Sequence, residues 1–473
     1  MGDAVTIRRI LVFLHRWIGL AMAAFLIVVG LTGSLLAFLP ELDRAINPTL
    51  YVEPRAGRPL PPGQIAERVE ALAPQAAVFR VDMGDPGRAQ VYVSGRPDPK
   101  TSEPLNPGFN LMFLNPYTGQ ELGRTNWGEI TQGFTNFMSF VYKLHFELAM
   151  GMWGVWILGI TALIWTLDCF VGLYLTLPVS WKPNRPPAAE ALGPDYNHAR
   201  PAVRSWWSRW MVAWKIKWSG SAYRINFDLH RAGGLWLWAV LLVFAWSSVY
   251  MNLWDTVYTW ATRAVLEYKA PWTELPEEKS PVETPALGWG QAQETGDKLM
   301  AEQARIHGFR IERPVELSLD SKRGVYGYSV RSSLDIQDKR GKTQIFFDAN
   351  NGGLRLVLLP TGQYAGNTIT SWLYAMHMAN VFGLPWRIFV CLFGLALTIL
   401  SVTGIYIWWK KRRARKHSPV RRKACPNSLR SWMSCSLADW RNVNDAVVSA
   451  EKWRTRHDSN VWPPPSEGGA LSS

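Results

Sequence analysis

Cysteine is scarce in this 473-residue chain: the four copies are Cys169, Cys391, Cys425 and Cys435. None lies in the two long polar segments that separate hydrophobic runs, so no disulfide framework is available there. Cys425 and Cys435 lack a companion pair at zinc spacing, which argues against a structural metal site. No Cys-x-x-Cys-His occurs, so covalent haem attachment of the c type is excluded. No Gly-x-Gly-x-x-Gly follows a predicted strand, and no nicotinamide or flavin fold can be argued. The middle polar loop is also too short for one, since a single βαβ unit takes about 30 residues. Carboxylates are nearly missing from the hydrophobic runs, where Asp168 stands alone. A proton path of interleaved Asp and Glu has no material to be built from.

What is present is four long apolar runs, Trp17–Leu39, Met150–Leu177, Leu235–Trp254 and Ile388–Trp409. Each reaches the roughly 20 residues a helix needs to cross about 30 Å of hydrocarbon. Arg8 and Arg9 precede the first run, as in a signal peptide. That run exceeds the roughly 7–15 residues of an h-region and exits through Ala37-Phe38-Leu39-Pro40 without a cleavage pattern, so a retained helix is expected. Residues 1–16, 178–231 and 410–473 hold 26 Lys and Arg against 9 Asp and Glu; the remainder holds 25 against 28. The positive-inside rule therefore puts both termini and the middle loop in the cytoplasm. Charge packed beside membrane helices accounts for the net +14 without nucleic acid as a partner. Trp17, Trp181, Trp254, Trp386, Trp408 and Trp409 sit at span ends, where an interfacial aromatic belt is expected.

The runs form two copies of one unit. His15-Arg16-x-x-Gly19-Leu20 opens the first helix and His230-Arg231-x-x-Gly234-Leu235 the third. Tyr142-x-x-His145 and Gly172-Leu173-Tyr174 mark the second, Tyr374-x-x-His377 and Gly404-Ile405-Tyr406 the fourth, with 27 residues from His to Gly in both. This is a duplication of helix, external segment, helix. Both copies start from the same side, and parallel repeats are related by an axis along the membrane normal, which brings equivalent residues to one depth. Two histidine pairs are predicted: His15 with His230 at the cytoplasmic level, and His145 with His377 at the external level. The external segments also match. Residues 60–124 predict a helix (Gly63–Leu72) and strands near Val78–Met83, Gln90–Ser94 and Phe109–Asn115, with a turn through Gly119. Residues 288–359 predict a helix (Gln291–His307) and strands Val315–Ser318, Gly327–Val330 and Thr343–Asp348, with a turn at Asn350–Gly353. Each unit of about 70 residues is below the size at which a lone core is secure, so packing on each other or on the membrane domain is expected.

Histidines in membrane helices are costly and face the bundle interior. A zinc or copper site would gather three or four ligands at one depth. Pairs suit haem b, held by two imidazoles from facing helices, and Gly19, Gly233 and Gly234 would let a flat macrocycle approach. The plain alternative has each His bonded to a backbone carbonyl or facing headgroups. Distance is a difficulty: from His145 to Leu177 is 32 residues, roughly 48 Å of straight helix. Gly151, Gly154 and Pro385 are candidate breaks that would lower the outer pair; otherwise an aromatic stepping stone such as Trp165 or Trp246 is required. Asp168 is read as a proton relay from a quinol, or as a partner of Arg16, Arg231 or a haem-contacting group. Tyr142 and Tyr374, one turn before the outer ligands, suit either a haem propionate or the interfacial belt.

These motifs, with Asn115-Pro-Tyr-Thr-Gly119 and Gly404-Ile-Tyr-Ile-Trp-Trp-Lys-Lys411 before a basic tail, resemble the PepSY-associated transmembrane family over residues 8 to about 412. The resemblance implies a bacterial inner-membrane ferrisiderophore reductase with two bis-histidine haems b on His15, His230, His145 and His377. It further implies electrons from a separate donor, quinol or a cytoplasmic reductase, and outer-sphere reduction of a ferric siderophore or other periplasmic iron carrier. The expected fold is a mainly α membrane protein. Its four transmembrane helices (17–39, 141–177, 231–254, 373–409) form two tandem parallel repeats. Two small α+β PepSY-like periplasmic modules occupy 40–140 and 255–372. The cytoplasmic parts are 1–16, the basic loop 178–230 and a tail, 410–473, expected to be disordered. The rival reading is a non-enzymatic PepSY regulator binding a periplasmic partner, which gives no reason for paired histidines. A haem or metal transporter, third, expects polar residues at mid-membrane that are scarce here.

Overall fold

A computed structural model describes residues 2–55, 57–98, 100–101, 103–178 and 205–416. The first part of the middle loop and the tail after 416 lie outside the described residues. In chain order the helices are α1 (Gly2–Leu36), α2 (Leu39–Ile46), α3 (Pro62–Leu72), α4 (Phe137–Glu147), α5 (Met152–Thr176), α6 (Trp206–Trp210) and α7 (Ala222–Trp236). There follow α8 (Trp238–Asn252), α9 (Thr259–Arg263), α10 (Pro271–Glu274), α11 (Trp289–His307), α12 (Ala365–His377) and α13 (Gly383–Lys416). The strands are β1 (Ala76–Asp82), β2 (Ala89–Gly95), β3 (Leu111–Leu114), β4 (Glu121–Thr125), β5 (Ile311–Asp320), β6 (Val325–Ser332), β7 (Thr343–Asp348) and β8 (Leu354–Leu358).

Among the described residues, three helices are long and apolar enough to cross a membrane: α1, α5 and α13. The expected fourth span is a bent pair, α7 and α8, meeting at 70°. The bend falls at Leu237, just after Gly233 and Gly234, where the helix has the least intrinsic support. Small residues set the packing. A Cβ on Gly30 would lie 2.7 Å from the Gly394 carbonyl oxygen and one on Gly394 would lie 2.5 Å from the Gly30 oxygen, so α1 and α13 touch backbone to backbone. Ser34 Oγ donates to the Cys391 carbonyl at 2.8 Å beside that crossing.

The two PepSY-like segments are not separate small modules, and "mainly α" understates the chain. They share one antiparallel sheet of eight strands in the order β4-β3-β2-β1-β5-β6-β7-β8. The seam pairs Arg80 with Ser318, Val81 with Leu317 and Asp82 with Glu316. Joining the two β1-type edges removes both from solvent and makes one core large enough to hold. Val81 and Leu317 point to the face covered by α3 and α11 and are fully buried there with Ile65, Met112, Tyr328 and Ile345. The two covering helices touch where a Gly63 Cβ would sit 2.5 Å from the Trp289 carbonyl oxygen. The opposite sheet face is apolar in the first copy, where Leu111 and Phe113 pack with Leu50, and carries polar side chains in the second. Its Glu316, Ser318, Ser329 and Gln344 meet Tyr250, Lys269, Asn367 and Thr370 around a cavity of about 240 Å³ between the sheet and the helix ends.

Candidate functional site

Both histidine pairs form. The rings of His15 and His230 have centroids 6.2 Å apart with planes at 57°. Those of His145 and His377 are 6.3 Å apart at 68°. Each pair joins one copy to the other: α1 to α7, and α4 to α12. The hydrogen bonds that aim the rings run instead within a copy. Thr32 on α1 stands 2.9 Å from Nδ1 of His145, and Ser247 on α8 stands 2.7 Å from Nδ1 of His377. The Thr32 hydroxyl donates to the Val28 carbonyl and the Ser247 hydroxyl to the Phe244 carbonyl, so each can only accept from the imidazole. Nδ1 of His230 donates to the Leu400 carbonyl at 3.0 Å, with Thr403 Oγ1 at 3.3 Å. Nδ1 of His15 lies 2.9 and 3.0 Å from the two oxygens of Asp168. In all four rings the network assigns the proton to Nδ1 and leaves the Nε2 lone pair available. This is the outer-shell arrangement of metal-bound histidine, in which the second ring nitrogen is spent on orientation.

Glycine makes the seats. A Cβ on Gly33 would lie 3.0 Å from Cε1 of His145; on Gly172, 3.6 Å from Cε1 of His15; on Gly404, 3.3 Å from Cε1 of His230. The repeat markers Gly172 and Gly404 therefore bear directly on the tail-side imidazoles. Gly19 and Gly234 border open space, while Gly233 meets Leu400.

The outer histidines reach the membrane domain because their helices break. α4 ends two residues after His145 and α12 ends at His377, and each restarts a few residues later as α5 and α13. Among the described residues, the non-glycine positions with left-handed backbone are Leu148, Ala149, Ala379 and Phe382, all within these two breaks. Such positions cost roughly 1–3 kcal/mol each and persist only where the surroundings impose them. Gly151 carries the first break, as expected, and a Cβ on Gly154 would fall 1.6 Å from the Glu147 oxygen, so α4 folds tightly against the start of α5. Pro385 lies in the first turn of α13, where proline is tolerated, and does not itself break a helix. The length difficulty disappears. Along α1, 17 residues separate His15 from Thr32, the partner of His145, or roughly 25 Å of axis.

The family pattern described as the PepSY-associated TM region matches residues 12–411, both copies of the helix pairs and both halves of the sheet included. The chain belongs to this family. No curated protein matches it.

The accessory residues of this PepSY-associated chain fall into place unevenly. Asp168 is buried and pairs with His15 rather than with Arg16 or Arg231. Arg231 is engaged by Asp228 at 2.9 Å; Arg16 is half-buried beside His15 on α1. Of the two stepping-stone candidates, Trp165 is buried in the core between the pairs, with Met22, Leu26 and Phe244. Trp246 packs instead on Tyr258, away from that line. Phe244, not singled out in the sequence, contacts the His377 ring at 4.9 Å and Phe393 at 4.6 Å. Tyr374 lies under Lys342, whose Nζ is 3.8 Å from the ring centroid, and Tyr142 packs on Trp127 and Phe146. Lys342 and Arg340 come from the β6–β7 connection, Arg80 and Asp82 from β1. Arg340 reaches Asp82 at 2.7 Å and Arg80 reaches Glu316 at 2.7 Å. The sheet thus lays a charged, hydroxyl-rich layer over the outer histidines. Burial pushes the Glu316 carboxyl above its ordinary range, against the pull of Arg80. Among the described residues no three His, Cys, Asp or Glu side chains gather as a metal-ion cluster.

Proposed function

We propose that this chain is a di-haem b electron-transfer protein that carries electrons across the bacterial inner membrane. It would act as an oxidoreductase on a ferric chelate, of the siderophore kind, at the sheet-bearing periplasmic face. The observation that carries the reading is the spacing of the two histidine pairs. Two imidazoles bound on opposite sides of one metal ion, each about 2.0 Å from it, have ring centroids about 6.3 Å apart. The pairs measure 6.2 and 6.3 Å with every Nδ1 already engaged. Two histidines per site, with no third ligand gathered among the described residues, suit a macrocycle that would supply the remaining donors itself. The residues present fit that group.

Bound haem supplies a one-electron Fe(III)/Fe(II) couple at each level. The chain's own part is to hold and insulate it. His15, His230, His145 and His377 would hold it. Thr32, Ser247, the Leu400 carbonyl and Asp168 hold each imidazole by its Nδ1 at the interface between copies. Gly33, Gly172 and Gly404 give the imidazoles their depth. Lys342, Arg340, Tyr142 and Tyr374 offer donors for carboxylates at the outer edge. Trp165, Phe244 and Phe393 pack the space between levels with aromatic rings and exclude water. Substrate iron is reduced by outer-sphere transfer, and lowering Fe(III) to Fe(II) loosens a hard-oxygen chelate. A quinol or a soluble reductase serves as donor at the opposite face, since no nucleotide-binding fold is present among the described residues.

The test is reconstitution. Protein in liposomes is reduced anaerobically from the tail side, and ferric chelate is added on the sheet side with a ferrous-specific dye. Re-oxidation of the haem bands in step with dye colour supports the reading; reduced bands that persist beside the chelate refute it.

A further inference from the structure

The two copies treat their tail-side histidines differently. The 232-residue offset that lays His145 on His377 and Gly172 on Gly404 lays Asp168 on Leu400. In the second copy His230 therefore finds a backbone carbonyl at 3.0 Å where His15 in the first finds a carboxylate at 2.9 Å. The outer histidines both meet hydroxyls, Thr32 and Ser247, which are themselves equivalent at an offset of 215. One of the four rings thus hydrogen-bonds an anion; three bond neutral acceptors.

We propose that Asp168 is a positioning residue that holds the redox potential of the haem on His15 and His230 below that of the haem on His145 and His377. The proposal rests on the di-haem reading above. A carboxylate accepting the Nδ1 proton makes the imidazole a stronger donor, and stronger donation favours ferric over ferrous iron. The negative charge adds in the same direction, because Asp168 is nine-tenths buried and poorly screened. The second buried carboxylate at this level, Asp228 on α7, is neutralised by Arg224 and Arg231, each at 2.9 Å. Asp168 instead accepts from Nδ1 of the neutral His15 imidazole. The outer site has Lys342 against the Tyr374 ring above it, Arg340 there being paired with Asp82 at 2.7 Å, and no carboxylate on either ring. The gradient makes transfer of one electron downhill from tail side to sheet side, with no atom or proton moved between the two levels. Direction is then built in by one position at which the duplicated helices diverged.

A spectroelectrochemical titration of the detergent-purified holoprotein decides it. His377→Ala removes the outer haem, and the component that remains identifies the tail-side site. The proposal expects this to be the lower of the two wild-type components. Asp168→Asn should raise it by 59 mV or more, a tenfold change in ferric-over-ferrous preference for one electron, and leave the other component in place. Asp168→Glu, which keeps the charge, should restore most of the shift. A tail-side component that is the higher one in wild type overturns the proposal, even where Asp168→Asn fails to retain haem. So does an Asp168→Asn protein with both potentials unchanged, or with the outer one moved. Protein with no haem at all refutes the di-haem reading itself, a distinct and recognisable failure.

Discussion

Ser247→Ala isolates the orienting contact on His377. Ser247 is fully buried, and its hydroxyl accepts the Nδ1 proton of His377 at 2.7 Å. Removing it leaves a buried N–H without a partner, a penalty of about 1–3 kcal/mol. Loss of such an outer-shell partner weakens metal binding by about 10- to 100-fold, which at 1.36 kcal/mol per decade is roughly 1.4–2.7 kcal/mol. The two routes agree, so the outer site should lose one to two decades of haem affinity while the tail-side site keeps its own. The assay is stepwise haemin titration of apoprotein, followed by the low-spin bands. Ser248→Ala is the control: its hydroxyl donates to the Phe244 carbonyl at 2.8 Å, as that of Ser247 does, but it is not the partner of the imidazole. Equal affinity loss in both variants, or loss at the tail-side site, would refute the argument that Ser247 acts through His377.

Three further outcomes are expected. Gly33→Ala places a methyl 3.0 Å from Cε1 of His145, tight enough to cost about 1–3 kcal/mol, whereas Gly172→Ala sits at an ordinary 3.6 Å from His15; haem counts should fall by one in the first and hold in the second. Ala379→Gly relieves a left-handed alanine at φ 49° and should stabilise the fold by about 1–2 kcal/mol, seen as a raised thermal midpoint; a lowered one contradicts the strain argument. Glu316 has a folded-state pKa above its unfolded value of 4.5, so its contribution to stability is full below that pH and is lost as pH rises through the folded value. Arg80→Met removes the charge 2.7 Å away and should push the carboxyl still higher, read by infrared titration against Glu316→Gln; a fall would sink the assignment.

The histidine pairs were legible because a duplication carries symmetry, and symmetry carries depth. Matched spacing from His145 to Gly172 and from His377 to Gly404 sufficed to pair residues more than 200 positions apart in the chain. The hydroxyls were legible by the same logic and were missed: Thr32 and Ser247 each lie 17 residues after the histidine that opens their copy. The first helix break was written in Gly151 and Gly154; the bend at Leu237 was not, since Gly233-Gly234 reads equally well as room for a macrocycle. The strands β4 and β8 escaped because Glu121–Thr125 carries Glu, Gly and Arg, and Leu354–Leu358 is five residues long with Arg355 as its single polar position. The sheet seam was invisible for a different reason. Val81 and Leu317 alternate with polar neighbours as any half-buried strand does, and no local signal says which edge a strand pairs with.

The central claim is that histidines from the two copies jointly hold two haems. Its most direct test is the visible spectrum of detergent-purified protein, oxidised and dithionite-reduced, with a pyridine haemochrome count on wild type and His377→Ala. The account predicts about two b haems per chain with six-coordinate low-spin bands, falling to about one in the variant. A colourless protein that takes up no added haemin, or a His377→Ala protein that keeps both haems, would contradict it.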